Sequence, residues 1–249
     1  PEATAAPEEE PTPAPEGNTS SETGENRHTS TLPVPETGSE ESRASRRKIQ
    51  ASEKENMDII FATNNAHKLT EVQAVLGPGY KLLTPRDCGV TEEIPEEQET
   101  LEGNASQKSH YLHDRTGMDC FADDTGLEVE ALGGAPGVHS ARYATDGHDF
   151  SANNRLLLKN LEGETNRRAR FRTVISLLLD GEEHFFEGIV EGRIIDRETG
   201  HGGFGFDPLF IPDGYDRTFA QMTTEEKNEV SHRARAVRKL AAYLHSVEK

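Results

Sequence analysis

The sequence has few of the residues on which several classes of protein depend. Its two cysteines, Cys88 and Cys120, cannot build a disulfide framework or a four-thiolate zinc site, and they fit a reducing compartment. No run of about eighteen apolar residues occurs, which excludes a membrane-spanning helix. Lys and Arg number 27 against 45 Asp and Glu, and the resulting net charge of −18 argues against a basic groove for nucleic acid. We therefore expect a cytoplasmic protein with neither a membrane nor a nucleic-acid partner.

Aromatic residues are absent from the first 56 positions. Residues 1–56 contain seven prolines and twelve glutamates, whereas all fifteen Phe and Tyr residues lie in 57–249. Such a segment buries too little apolar surface to offset its ordering entropy, which is about 1 to 2 kcal/mol per residue for the backbone. The composition predicts a disordered, acidic, Pro-, Glu- and Ser-rich tail over 1–56 and one domain over 57–249, which is long enough for a sizeable core.

A strand and a helix open the domain. The apolar run 59–62 predicts a buried strand. The helix that follows places Leu69, Val72 and Leu76 on one side, and the Gly-Pro-Gly sequence at 77–79 predicts its end.

The rest of the domain mixes further helices with strands. Apolar periodicity predicts helices over about 99–115 and 153–161, and a last helix with Ser231 as its N-cap. Short strands are predicted over 120–122 and 127–131.

The strongest strand pattern lies between residues 171 and 195. Apolar residues alternate from Phe171 to Leu179, Asp180 and Gly181 supply a turn, and a second strand is predicted over about 184–195. Helices combined with strand-helix units and an antiparallel hairpin predict a mixed-sheet α/β domain.

The junction between the first strand and its helix is a candidate anion site. Its residues are Thr63, Asn64, Asn65, Ala66, His67 and Lys68. Backbone N–H groups at a helix N-terminus carry about half a positive charge, and Lys68, one turn in, could reach the same phosphate. The alternative is that Thr63 or Asn64 only caps the helix.

Two adjacent acids, Asp123 and Asp124, follow an apolar strand. Mg²⁺ takes oxygen ligands and usually binds one or two carboxylates together with substrate phosphate. The alternative is an acidic β-turn, because Asp-Asp-Thr-Gly is typical of turns. The acidic stretch 92–97 could supply another metal ligand or be a solvated charge run.

Two further segments could face a ligand. The glycine-rich stretch 202–208 contains Phe204 and Phe206, on which a base could stack, and Asp207, which could bond a base edge or sugar. As a lone glycine-rich segment it could also be an ordinary bulge. His232 and Arg233 fall in the first turn of the last helix, where cations oppose the macrodipole, and this placement favours an anionic or carbonyl ligand there.

Together, six segments closely resemble the inosine triphosphate pyrophosphatase family, whose members are also described as XTP/dITP diphosphatases. The segments are 63–68, 104–108, 122–127, 133–143, 202–208 and 226–233. Their order and spacing match the family across essentially all of 57–249, and the tail is not covered. The resemblance implies a two-lobed mixed α/β fold with the active site in the cleft between the lobes, usually in a homodimer. It also implies Mg²⁺-dependent hydrolysis of ITP, dITP and XTP to the monophosphate and pyrophosphate.

The resemblance also implies roles for individual residues. The residues implied at the triphosphate are Thr63, Asn65 and Lys68 of the 63–68 anion site, and Lys108 is implied to add positive charge there. The implied metal ligands are Glu96 and Asp124. Thr125 is implied to lie beside the substrate. The residues implied at the base and sugar are Phe204, Gly205, Phe206 and Asp207. Those implied to recognise the purine are Lys227, His232 and Arg233. Asp124 is the implied activator of water, with Asp123 or water on the magnesium as alternative proton acceptors.

Some points stay open at this stage. Glu93 or Glu97 could replace Glu96, which is placed by loop spacing alone. Gly103 stands where many family members carry an acid. Donors near the six-position would accept a 6-oxo purine and be left unsatisfied by adenine, but no residue is identified that rejects guanine. A pyrophosphatase with a different base preference, or a non-catalytic nucleotide sensor or interaction module, are the competing functions.

Overall fold

The computed structural model describes residues 56–247. Residues 1–55 and 248–249 lie outside the described residues, and nearly all of the predicted 1–56 tail lies among them. Among residues 56–247, none of the helices has the length and the apolar composition of a membrane span.

The described residues form one mixed sheet of seven strands with five α-helices. The strands are β1 (Met57–Phe61), β2 (Tyr80–Leu83), β3 (Cys120–Val129), β4 (Pro136–Gly137), β5 (Arg168–Leu179), β6 (Glu182–Ile194) and β7 (Phe210–Pro212). The helices are α1 (Ala66–Leu76), α2 (Leu101–Thr116), α3 (Phe150–Asn160), α4 (Thr224–Val230) and α5 (His232–Val247). The strand order is β2-β1-β3-β5-β6-β7, and β4 pairs with β3. Only the pairs of β1 with β2 and β3 are parallel, so the predicted mixed-sheet α/β class is confirmed.

Helices cover both faces of the sheet at the β1 end. Alternate residues of a strand point to opposite faces, and here Ile59 and Phe61 pack against α1 and α5. Ile60 lies in a second cluster with Leu112 of α2. The strand is therefore apolar throughout because both of its faces are buried.

A separate core region lies at the other end of the long strands. Leu127 of β3 and Phe171 of β5 pack there with Leu157 of α3 and with Phe206. The strands β3 and β5 therefore run from one core region into the other, and the two-lobed arrangement expected from the family resemblance is confirmed.

The predicted hairpin is present and longer than expected. β5 and β6 pair in register from Arg168 opposite Arg193 to Leu179 opposite Glu182. Asp180 and Gly181 have φ values of 51° and 81°, which is the left-handed geometry that a two-residue hairpin turn requires.

The region around Asp123 and Asp124 differs from the expectation. The two short strands predicted over 120–122 and 127–131 are one continuous strand, β3, and the alternative of an acidic turn is wrong. Asp123, Asp124 and Thr125 all pair with β5 in antiparallel register. Turn-forming residues stay extended here because tertiary partners satisfy the buried carboxylates.

Several short elements were not predicted. β2, β4 and β7 have four residues or fewer, which is too short for a periodic pattern to emerge. The polar helix α4 begins with a capping box in which Thr223 and Glu226 bond each other's backbone N–H groups. This Thr-x-x-Glu pattern is a sequence signal for a helix start that could have revealed α4.

Candidate active site

A cavity of about 480 Å³ lies between the two core regions, within the roughly 300 to 1,000 Å³ typical of small-molecule sites. It brings together most of the residues that the sequence singled out. These are Thr63, Asn64, Asn65, Lys68, Glu96, Lys108, Asp124, Thr125, Phe204, Gly205, Phe206, Asp207, Lys227, His232 and Arg233. Of the other predicted residues, Ala66 and His67 do not line the cavity, although the ring of His67 stacks on Phe204 with centroids 5.6 Å apart.

The start of α1 is capped by a residue other than the two considered from sequence. Asn65 is the N-cap, and its Oδ1 accepts hydrogen bonds from the backbone N–H groups of His67 at 2.9 Å and Lys68 at 3.3 Å. Its own N–H donates to Thr63 Oγ1 at 3.1 Å. Two of the amides that we expected to face an anion are therefore bonded to Asn65, which leaves fewer of them for a phosphate.

Asp123 is a buried anion between two cations. Lys68 Nζ lies 2.9 Å from its Oδ1, and Arg233 Nε donates to its Oδ2 at 3.1 Å. Burial acts to raise the pKa of this carboxyl, but the charges of Lys68 and Arg233 outweigh it and hold the pKa well below its usual range. Asp123 does not line the cavity.

A second buried acid, Glu71 of α1, joins three helices. Its carboxylate accepts from Lys227 Nζ of α4 at 2.6 Å and from Arg233 Nη1 of α5 at 2.5 Å. Lys227 also donates to Asp207 at 2.7 Å, and the same Asp207 oxygen accepts from the backbone N–H of Phe204 at 2.9 Å. Opposite charges thus alternate from α1 to the glycine-rich segment.

This network changes how the cations at the start of α5 are explained. Arg233 is offset by Glu71 and Asp123, which are groups of the protein itself. Three of its five donors are used, because Nη2 also donates to Thr125 Oγ1 at 3.3 Å. The position of Arg233 at a helix N-terminus therefore no longer argues for an anionic ligand.

The acids expected to hold a metal lie on either side of Lys108. Its Nζ donates to Glu96 Oε1 at 2.7 Å and to the carbonyl oxygen of Asp123 at 2.6 Å, and it lies 3.6 Å from Asp124 Oδ1. Asn104, one turn earlier on α2, donates to Asp124 Oδ2 at 3.1 Å. The Asn104 and Lys108 pair, at helical spacing of four, therefore fixes the acidic end of the cavity.

The pKa values of Asp124 and Glu96 are shifted in opposite directions. Burial raises the pKa of Asp124, with Lys108 opposing this effect and Glu96 adding to it. Burial also acts to raise the pKa of Glu96, but Lys108 outweighs it and lowers the pKa. Of the two alternatives to Glu96, Glu93 lines the cavity and Glu97 does not, since Glu97 instead accepts from Gln107.

An aromatic and imidazole surface forms another part of the cavity wall. The Phe204 ring lies 5.1 Å from Lys227 Nζ, and the buried His232 ring stacks on Phe171 with centroids 4.6 Å apart. Burial, Arg233 and Lys227 hold the pKa of His232 well below its usual range, so the ring is neutral. Its Nδ1 has no hydrogen-bond partner among the described residues.

The comparisons with known proteins agree on one family. The model of the Ham1 family matches residues 59–243. The chain is 51% identical over 187 residues to the dITP/XTP pyrophosphatase of Porphyromonas gingivalis, which covers 75% of this chain and 96% of that protein. It is 48% identical over 184 residues to the dITP/XTP pyrophosphatase of Flavobacterium psychrophilum, which covers 74% of this chain and 97% of the relative.

The chain belongs to the Ham1 family. The resemblance found in the sequence is thereby confirmed. Among solved structures, the Ham1 protein of Staphylococcus aureus superposes with a TM-score of 0.70 at 38% identity, covering 77% of this chain and all of that one. The Ham1 fold thus accounts for the mixed sheet and the two core regions.

Sequence reasoning missed part of this Ham1 cavity. Leu127, His148, Phe150 and Phe171 line it without having been proposed for the site. Nothing in their local patterns distinguishes them from core or loop residues. Glu71 was also missed, although it had a signal: it lies one turn after Lys68 on the inward side of α1, where an acid must find a buried partner.

Proposed function

We propose that this chain hydrolyses non-standard purine nucleoside triphosphates, namely ITP, dITP and XTP, to the monophosphate and pyrophosphate. The observation that carries the proposal is one cavity that combines an acidic pair, Glu96 and Asp124, with an aromatic and imidazole wall, Phe204 and His232. The relatives at 48% and 51% identity bear the name dITP/XTP pyrophosphatase. Such an enzyme removes non-standard purines from the nucleotide pool.

The two neighbouring acids suit different tasks in this reaction. Water attacks the α-phosphorus, the bond to the oxygen bridging to the β-phosphorus breaks, and pyrophosphate leaves. Asp124 faces the cavity, and burial raises its pKa in the metal-free protein, so it is the stronger base of the two acids. Asp123 is a weak base because Lys68 and Arg233 bind both of its oxygens. We therefore assign proton acceptance to Asp124 and the positioning of Lys68 and Arg233 to Asp123.

The residues at the acidic end fit a magnesium ion. Glu96 and Asp124 offer the carboxylate oxygens that Mg²⁺ prefers, and the Lys108 ammonium lies between them as a counter-cation. Among the described residues, no group of three or more His, Cys, Asp or Glu is placed to hold a metal, so the substrate phosphates would supply further ligands. When bound, Mg²⁺ supplies charge that stabilises the negative phosphate oxygens.

The part of the cavity wall around His232 selects the purine base of the substrate. The neutral imidazole of His232 lines the cavity and can donate a hydrogen bond to a 6-oxo purine from the ring nitrogen that carries its proton. The 6-amino group of adenine would present a donor to the same atom and leave both unsatisfied. A site built on such a bond discriminates by as much as about 10⁴-fold.

The experiment that tests the function is a panel of ITP, dITP, XTP, GTP and ATP, with and without Mg²⁺, followed by pyrophosphate release. We expect hydrolysis of the first three with Mg²⁺ and little hydrolysis of ATP. Asp124→Asn should reduce the rate by about 10²-fold or more. Equal rates with ATP and ITP would contradict the specificity, and full activity without a divalent ion would contradict the metal.

The family resemblance also leads us to propose a homodimer located in the cytoplasm. Light scattering on the purified full chain tests the dimer, and a monomer at micromolar concentration would contradict it.

A further inference from the structure

Lys108 was expected to lie at the triphosphate, yet its ammonium is already bonded to protein oxygens. It lies within hydrogen-bond distance of Glu96 Oε1 and the Asp123 carbonyl, and its nearest oxygen of Asp124 is 3.6 Å away. The side chain is buried, with 4% of its surface exposed. A lysine ammonium has three donors, and these three oxygens surround it.

We propose that Lys108 acts as a resident counter-cation that keeps magnesium from binding tightly to the free enzyme, so that the metal binds together with the nucleotide. The inference rests on the proposed function and deepens it, because it concerns how the same site takes up its metal. Lys108 thus controls the uptake of the metal and also attracts the phosphates of the nucleotide.

The charges at this end of the cavity support the inference. The carboxylates of Glu96 and Asp124 share one ammonium, so a second cation entering between them meets a positive charge at close range. Repulsion between charges a few ångströms apart is strong where water is excluded. Two carboxylates are also too few to hold Mg²⁺ without further oxygen ligands, and triphosphate oxygens would both complete the set and offset the extra charge.

The three contacts of Lys108 differ in how easily they are exchanged. The Asp123 carbonyl belongs to the strand β3, and Asp123 is paired there with Ile175 of β5. Glu96 lies on the loop before α2, and 30% of its side chain is exposed. The ammonium can therefore keep the carbonyl of Asp123 and give up Glu96, which frees that carboxylate for the metal and one donor for a phosphate oxygen.

Calorimetric titration of Mg²⁺ into the full chain without nucleotide tests this inference. Wild type should bind weakly, and Lys108→Met should bind at least tenfold more tightly, about 1.4 kcal/mol. Lys68→Met is the matched control, because it removes a cavity lysine whose ammonium bonds Asp123 instead. Its Mg²⁺ affinity should change less than that of Lys108→Met. Equal affinity of wild type and Lys108→Met, or an equal gain in both variants, would overturn the proposal.

A second readout covers the case in which Lys108→Met folds poorly. Removing the ammonium leaves Glu96 and Asp124 without their counter-cation, so MgCl₂ should raise the Tm of the variant more than that of wild type. Lys108→Gln, which keeps a hydrogen-bond donor and loses the charge, should show the same pattern in both measurements. A Tm shift equal to that of wild type in both variants would overturn the proposal.

A third titration separates this inference from the proposed function. Wild type is titrated with Mg²⁺ in the presence of a non-hydrolysable ITP analogue, and we expect binding at least tenfold tighter than without it. If wild type binds no Mg²⁺ even with the analogue, the magnesium part of the proposed function fails. If it binds with the analogue but equally well without it, only the role of Lys108 fails.

Discussion

At the scale of single residues, the buried acid Glu71 joins the parts of the cavity wall. It contacts Lys227 and Arg233, which come from helices far along the chain and both line the cavity. Lys227 and Arg233 lower the pKa of Glu71 against the effect of burial, which acts to raise it. Glu71 does not line the cavity itself, so we regard it as a positioning residue.

Replacing Glu71 by Gln should loosen this arrangement without touching the substrate. Lys227 keeps Asp207 and Arg233 keeps Asp123, so we expect a loss of about 3 kcal/mol in the free energy of unfolding, measured with urea. The KM for ITP should rise more than kcat falls, because the wall moves while Asp124 stays in place. Glu229→Gln, at an exposed site of α4, should change stability by less than about 0.5 kcal/mol. An unchanged KM for ITP would contradict the positioning role.

Asp124 is the opposite case, because burial of its ionised carboxylate lowers the free energy of unfolding. Its pKa is raised in the folded protein above the ordinary 3.8. Stability is therefore fully present below the unfolded pKa and is partly lost as pH rises through the folded pKa. Asp124→Asn should unfold at pH 7 with a free energy equal to or above that of wild type while losing activity. The gain in the free energy of unfolding should disappear below about pH 4, because the side chain of residue 124 is then neutral in wild type as well as in the variant. Urea unfolding at the two pH values measures this, and a variant less stable than wild type at pH 7 would contradict it.

At the scale of elements, the strand β6 approaches the helix α5 closely at Gly188. A Cβ atom at Gly188 would overlap the carbonyl oxygen of His232 and the backbone nitrogen of Ala236. Gly188 thus allows the first turn of α5 to lie against the sheet and to hold His232 and Arg233 at the cavity.

Gly188→Ala should therefore displace the start of α5. We expect a destabilisation of about 1 to 3 kcal/mol from overpacking, together with a higher KM for ITP, since His232 and Arg233 move with the helix. Gly79→Ala is the control, because a Cβ there meets nothing within 4 Å. Steady-state kinetics with ITP and a urea melt decide the outcome. An effect on stability with no change in KM would show that the glycine serves packing alone.

Local patterns were sufficient for elements whose cause is local. The helix α1 follows from its apolar stripe and its glycine end, where Gly77 has a φ of 77°. The hairpin follows from alternation around Asp180 and Gly181. The strand β3 could not be predicted in this way, because Asp123 is stabilised by Lys68 and Arg233, which lie 55 and 110 positions away.

At the scale of the whole molecule, the difference between local and long-range causes also explains which residues of the site could be predicted from the sequence. Fifteen of the predicted residues line one cavity. They could be predicted because the resemblance of the motifs to the family also implies the fold of the family. The ion network was not found, since the bond between Glu71 and Lys227 spans 156 positions. The resemblance thus indicated which residues matter, and only the structure shows that several of the cations bond to protein acids.

The acidic segment 1–56 should make no contribution to turnover. Among residues 56–247, those that line the cavity fall between 62 and 233. The relatives match over nearly their whole length with about three quarters of this chain. We expect a chain of residues 57–249 to hydrolyse ITP with kcat and KM within twofold of the full chain. The segment carries six basic and twelve acidic residues, a net −6, so any difference in KM at low ionic strength should shrink at about 0.15 M salt, where charges more than about 8 Å apart are screened. A loss of activity that persists at this salt concentration would instead favour a function that depends on the segment.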